Sequence, residues 1–551
     1  MAQPPGVEGQ GSPDAAGPAR LAEDLARKGV EGIALTYVDN SGITRVKAIP
    51  TARLEVAMTR GVGMSPVFDV FLLDDSITTS TTSTGPTGDL RLYADLARLT
   101  VLAAQPGWAW APVDRRSQAG EVHPLCARSF AARMVSRAEN EGISASMAFE
   151  LEWALATGDG DEFVPAAHGP AYGMTRVIEF SDYLRDLLAA LATEAISVEQ
   201  VHPEYAASQF ELSMAPNDPV GAADDSVLAR VTLRAVGRNH GLRTSLSPSV
   251  VAGQVGNGGH VHLSVWRDGD NLFAGGDGPH GITAEGEAFA AGVLRELPAL
   301  LVIGCPSVAS YLRLVPQHWA GAFQVWGLEN REAALRLVTG TSGHEARCAN
   351  LEVKSFDLSA NPYLVVGALL AAGLAGIGDR LKLPPEVTVD PADLSHADLA
   401  GAHAPRLPES LPEALERYDA STVWPRPSVP RCTKRSPPSG APRWRCSRGG
   451  HRTRWRRPHG GGTDGPLGRP RCARPAGRSS RPQRGAGHRG PAQPRALPHR
   501  VRRTAPRGLQ PLRFLPGGCN AADVCPCARS APRRQRRRVR RPPHGAGWRS
   551  S

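Results

Sequence analysis

Two glutamates one residue apart, Glu150 and Glu152, stand in Phe149-Glu150-Leu151-Glu152-Trp153, and two histidines repeat that spacing in Gly259-His260-Val261-His262-Leu263-Ser264. On a β-strand, residues i and i+2 face the same way, so each pair aims two ligand-type side chains at one space. Between the pairs lies Glu204-Tyr205-Ala206-Ala207-Ser208-Gln209-Phe210-Glu211, and beyond them Leu351-Glu352-Val353-Lys354. Any one of these carboxylates alone reads as a surface group on a half-exposed strand. Five of them and an imidazole converging on one cavity would repel one another or take up protons unless divalent cations held them.

The elements that must carry these groups are legible in outline. Leu21 to Lys28 has the spacing of an amphipathic helix, and residues 32–49 read as a β-hairpin turning at Asp39-Asn40-Ser41-Gly42. Short elements continue to about Pro112, with a Thr/Ser/Gly loop over Thr78 to Gly88, which predicts a small α+β domain over residues 19–115. A helix follows over Pro124 to Glu141, stopped by Gly142, then the strand with Glu150 and Glu152. Helices over Tyr183 to Glu194 and Asp224 to His240 alternate with strands leading to Glu204 and to the histidines. Asn361-Pro362 has the form of a helix start, with Asn as N-cap and Pro in the first turn. Residues 116–423 thus form one large α+β domain. The expected fold class is α+β.

Composition divides the chain near Val423. Residues 424–551 hold 32 Arg and one Lys against two acidic residues, a net of +31; with the whole chain at +11, the preceding residues carry −20. The stretch is rich in Arg, Pro, Gly, Ala and Ser and shows no periodicity, so it cannot bury a core. It reads either as a disordered basic arm on nucleic acid or as an out-of-frame translation of GC-rich DNA, and the abrupt seam favours the second. Nucleic-acid binding is not expected of the body. The three body cysteines, Cys126, Cys305 and Cys348, are widely spaced, as in a reducing compartment. Residues 1–18 look disordered and lack a signal-peptide pattern. The most apolar run, Leu364 to Ile377, is shorter than the roughly 18 residues of a membrane span. A cytoplasmic protein is expected.

Taken in order, Glu-x-Glu, His-x-Glu with a second Glu seven residues on, Gly-x-His-Val-His-x-Ser, Ser-Tyr-x-Arg-Leu, Asn-Arg-x-x-x-x-Arg and Asn-Pro-Tyr-Leu make the sequence resemble glutamine synthetases of the bacterial type I group and their paralogues over residues 20–420. The resemblance implies a small β-grasp-like domain, a catalytic domain with a curved antiparallel sheet, and two divalent cations per site. By position, Glu152, Glu204 and Glu211 match ligands of one cation, and Glu150, His260 and Glu352 ligands of the other. Oxygen-rich shells with one imidazole suit Mg²⁺ or Mn²⁺. Glu199, His262, Ser264, Arg331 and Arg336 match residues around ATP, with Arg331 also catalytic. Arg313, likewise placed as catalytic, matches a binder of the glutamate carboxylate. Gly256 and Lys354 match substrate-shell positions. A ring-shaped homo-oligomer, typically of twelve subunits, is also implied.

The chain departs from that pattern around the substrate. Where the family has Gly-Tyr-Glu-Ala-Pro, this sequence has Gln317-His318-Trp319-Ala320-Gly321, putting an indole in place of a carboxylate. That change removes attraction for a small cation and adds a π-rich wall suited to an organic amine. His318 is a candidate base. Lys354 replaces an arginine and cannot form its bidentate fork. The implied activity is an ATP-dependent ligase that joins the γ-carboxylate of glutamate to ammonia or an amine through γ-glutamyl phosphate. A γ-glutamyl polyamine or alkylamine synthetase is the narrower alternative, and a silent nucleotide-binding paralogue the alternative of another class.

Overall fold

The computed structural model describes residues 17–424, apart from Thr79, 81–84, Asp161 and 402–403. All but the first residue of the tail read over 424–551, the start of the N-terminal stretch and five residues of the Thr78–Gly88 loop therefore fall outside the described residues.

The hairpin forms where expected, from strands Gly32–Val38 and Thr44–Pro50, because Asp39 Oδ1 accepts the Ser41 and Ile43 amides and Gly42 takes φ 76°. These strands belong to a six-stranded sheet in the order Thr44–Pro50, Gly32–Val38, Trp108–Ser117, Leu90–Ala94, Val62–Met64, with Thr100–Val101 alongside Trp108–Ser117. Gly32–Val38 and Trp108–Ser117 run parallel. Leu25 of helix Gly17–Arg27 and Leu54 of helix Leu54–Arg60 close its core over Ile33, Leu35, Leu92 and Val113.

The larger sheet has ten strands, its main path running Phe323–Leu328, Ala333–Val338, Asn350–Val353, Val261–Arg267, Ser144–Thr157, Gln209–Met214, Val198–Pro203. It is mixed rather than purely antiparallel: Phe323–Leu328 and Ala333–Val338 pair in parallel, and the other neighbours on this path are antiparallel. Along the central strand, Phe149, Leu151 and Trp153 are buried on one face and alternate with Glu150 and Glu152 on the other.

Helix Pro219–Asn239 begins five residues earlier than the sequence pattern indicated, because Asp218 accepts the Val220 and Gly221 amides ahead of Pro219. Helix Pro362–Asp379 starts at Asn361, whose Oδ1 accepts the Tyr363 and Leu364 amides while its Nδ2 donates to the Val38 and Asp39 carbonyls of the hairpin. At 18 residues this helix is long and apolar enough to cross a membrane. It is mostly buried, however, against helices Ala127–Asn140, Pro219–Asn239 and Ala284–Gly304, as a core helix is. Cys126 and Cys305 are buried free thiols.

Candidate active site

Strand register gathers the acidic and imidazole side chains into rows. Directly opposed residues on neighbouring strands lie side by side on one face. Arg336, Glu352 and His262 oppose one another across three strands, and Glu152, Glu211 and His202 do so across another three. Glu150 joins the rows, its amide bonded to the His260 carbonyl at 3.0 Å. Glu204 follows strand Val198–Pro203, and its amide donates to the Gln209 carbonyl at 2.8 Å.

Three overlapping sets each bring three ligand atoms within 4.8 Å of one another: Glu150, His262 and Glu352; Glu150, Glu211 and His260; His202, Glu204 and Glu211. All six residues assigned to metal by sequence thus face one region, but the triads cut across the two sets of three inferred from the resemblance. Glu152 belongs to no triad. Its Oε2 accepts Gln209 Nε2 at 2.9 Å and the Gly258 amide at 2.8 Å, and its Oε1 lies 3.6 Å from His260 Nε2. His202 and His262 enter the triads without having been assigned as ligands. His202 was visible in the sequence only as the His of His-x-Glu.

The electrostatics divide this region. Burial opposes ionisation of Glu150, but His262 and His260 (3.3 and 3.0 Å) outweigh it and hold the carboxyl well below its usual range. Burial likewise opposes the charged form of His262, yet Glu150 and then Glu352 push it up to about 9. Glu352 is lowered against burial by Lys354 (2.8 Å) and Arg336 (3.0 Å). Glu204 and Glu211 behave oppositely. Burial, then Glu152, raises Glu204 to about 8, and burial with Glu150, Glu204 and Glu152 raises Glu211 well above the carboxylate range. Among the described residues, both ring nitrogens of His202, and Nε2 of His262, are buried without a hydrogen bond. Mutually repelling carboxylates with imidazole nitrogens 3.2–3.5 Å from them but in no hydrogen bond are the donor set a divalent cation satisfies, so the residues present fit the implied metal.

The remaining assigned residues are unevenly placed. Arg313, 3 % exposed, donates to the Ser355 and Lys354 carbonyls at 3.1 Å and lies 3.2 Å from His260 Nε2. Ser264 accepts from Trp266 Nε1 at 2.9 Å, on the same strand face as His262. Arg331 is half-buried, and its charge reaches His202 and Tyr205. Gly256 is needed for packing: a Cβ there would stand 1.9 Å from the Pro248 carbonyl oxygen. Glu199 is exposed, the extra residue of a bulge between the Gln200–Ser213 and Val198–Met214 pairs, and the structure does not gather it with the other carboxylates.

Trp319 sits at φ 52° with its ring stacked on Tyr205, centroids 4.0 Å apart and planes 16° from parallel. Tyr205 meets Tyr172 edge-on at 5.8 Å, Tyr172 stacks on His202 at 4.9 Å, and the Tyr172 hydroxyl donates to Glu204 at 2.5 Å. This aromatic wall runs straight to the acidic site. Neither tyrosine carried a spacing signal in the sequence.

Residues 124–426 match the family described as glutamine synthetase, catalytic domain. The chain is 56 % identical over 406 residues to the gamma-glutamylpolyamine synthetase GlnA3 of Streptomyces coelicolor, covering 73 % of this chain and 87 % of that protein. The chain belongs to the glutamine synthetase family. It is 29 % identical over 385 residues to the glutamine synthetase of Halobacterium salinarum, covering 68 % of this chain and 80 % of that protein. Among solved structures, a novel glutamine synthase homolog superposes with TM-score 0.63 at 33 % identity, covering 71 % of this chain and 88 % of its own. The GmaS/ADP complex superposes with TM-score 0.64 at 25 % identity, covering 74 % and 91 %. As a glutamine synthetase relative, the chain is an ATP-dependent ligase acting through γ-glutamyl phosphate, and the family's substrates are glutamate, an amine and ATP.

Proposed function

We propose that this ligase joins the γ-carboxylate of glutamate to an organic amine of the polyamine or alkylamine class in preference to ammonia. The observation that carries this reading is the Trp319–Tyr205 stack beside Glu204. An indole and a phenol present π-faces to a cationic amine and apolar surface to its methylenes, neither of which ammonia can use. The relative named for polyamines supports the same choice.

A carboxylate is a poor electrophile because an attacking amine must expel oxide; phosphorylation by ATP supplies a better leaving group. Glu150, Glu152, Glu204, Glu211, His260 and Glu352, with His202 and His262, would hold two Mg²⁺ or Mn²⁺ ions. When bound, such ions neutralise phosphate charge and clamp nucleotide and glutamate. Arg331 and Arg336 then face the charge that spreads over the transferring phosphoryl group. Lys354 and Arg313 orient glutamate, and His262 and Ser264 line the nucleotide. This reading takes residues 19–115 and 116–423 as the two domains, in a cytoplasmic homo-oligomer, expected to be a dodecamer.

Purified protein with ATP, Mg²⁺ and glutamate should release phosphate on addition of putrescine or spermidine, and more slowly with ammonium at equal concentration. Trp319→Glu should reverse that order. Activity that rises with ammonium alone would reject the amine preference, and nucleotide binding with no turnover on any amine would reject the ligase reading.

A further inference from the structure

An aliphatic amine is an ammonium ion at neutral pH and cannot attack until a proton leaves its nitrogen. Trp319 and Tyr205, which form the amine wall, are not proton acceptors for an ammonium, and the carboxylates around His260 already have partners: Glu150 has His260 and His262, Glu352 has Lys354 and Arg336, and Glu152 accepts from Gln209 and the Gly258 amide. One carboxylate next to that wall has capacity to spare. Glu332 lies just before strand Ala333–Val338 and is only 8 % exposed; its Oε1 accepts the Trp319 backbone N–H at 2.8 Å, and the Gln317 amide also acts on its carboxylate. Its other oxygen, Oε2, is buried with no donor in hydrogen-bonding geometry among the described residues. A buried carboxylate oxygen left without a partner costs about 1–3 kcal/mol and more for a charged group, so its presence calls for a reason.

We propose that Oε2 of Glu332 receives the ammonium group of the incoming amine beneath the Trp319 loop and takes its proton. This inference rests on the ligase reading above. Glu332 reaches the loop from the turn before strand Ala333–Val338, at an unspecified position between Arg331 and Arg336, so the motif that contains it does not single it out. Burial dominates its titration and raises its pKa; the Trp319 and Gln317 amides and Lys354 work against that shift, and Asp390 adds to it. A carboxylate so raised is closer to the pH at which it must accept a proton. His318 is nearby in sequence, but a neutral imidazole offers an ammonium no counter-charge, whereas Glu332 both attracts the cation and deprotonates it.

The step balances. One proton passes from R–NH₃⁺ to Oε2, and the freed electron pair forms the C–N bond at the γ-carbonyl carbon. The C–O bond to phosphate breaks, phosphate leaves with the two electrons of that bond, and the second nitrogen-bound proton goes to the departing phosphate.

The test compares the parent enzyme with Glu332→Gln, whose amide oxygen can still accept the Trp319 N–H, using putrescine and hydroxylamine in turn. Hydroxylamine is uncharged at neutral pH and attacks without first losing a proton. In the variant, kcat/KM for putrescine should fall by about a hundredfold, the low end of what losing a general base costs, while γ-glutamyl hydroxamate formation stays within about twofold. Glu332→Asp should recover part of the putrescine rate. Equal losses with both nucleophiles, or no loss with either, would mean that Glu332 merely clasps the loop, and would overturn the proposal. A parent enzyme that makes neither hydroxamate nor amide would instead bring down the ligase reading, and this inference with it.

Discussion

Glu204 and Glu211 hold protons that free glutamates would release, because burial and neighbouring carboxylates raise both, Glu204 from 4.5 to about 8. The folded chain therefore binds more protons than the unfolded chain between those pH values. By linkage, stability present below the unfolded value is lost as pH rises through this window. A divalent cation binds the deprotonated forms, so the gain in Tm from Mg²⁺ should be small at pH 5 and grow toward pH 8 in a thermal-unfolding series. Glu204→Gln and Glu211→Gln should each raise the metal-free Tm at pH 8 by a few degrees, roughly what 1 kcal/mol is worth in a large chain, and should abolish most of the Mg²⁺ gain. A Mg²⁺ response that ignores pH would count against cation binding at these two residues.

The loop bearing Trp319 is fixed from several sides. Arg406 donates to the Leu314 and Ala322 carbonyls at its two ends, Ser355 Oγ donates to the Gly321 carbonyl, and Glu332 holds the Trp319 amide. Gly321 adopts φ 63°, and a Cβ there would sit 2.8 Å from Ala334 Cα. Gly321→Ala should destabilise the chain by about 1–3 kcal/mol and raise KM for the amine well above its effect on KM for ATP; equal changes in both would detach the loop from amine binding. Such elements were only partly legible in the sequence. Glu150, Glu152, His260 and His262 could be read because a two-residue period survives on any strand, and the start at Asn361 because a cap is local chemistry. Glu204 and Glu211 came from the family motif, but His202 was not assigned as their partner, since it meets Glu211 only through antiparallel register. Strands Phe323–Leu328 and Ala333–Val338 lie only four residues apart, a connection that normally signals an antiparallel hairpin, yet they pair in parallel. Helix Ala284–Gly304 escaped notice because Pro298 interrupts it and its burial extends around most of its circumference.

Taken as a whole, the chain changes character where its kinship stops. The family match ends at residue 426, and Trp424, stacked at 6.1 Å on Tyr418 of helix Leu411–Ala420, is the last of the described residues packed into the core. A chain ended after residue 426 should keep the full-length Tm and lose any salt-sensitive binding to duplex DNA, measured by titration at two ionic strengths. DNA binding retained by the shortened chain would contradict the −20 charge of residues 1–423. Within that body, the amide of Asn361 serves two masters. One end of it starts helix Pro362–Asp379, and the other grips the hairpin through Val38 and Asp39. The small sheet is thereby moored to the first turn of a central core helix, so prising it away would fray the scaffold at the same stroke, and the two sheets should melt as one body.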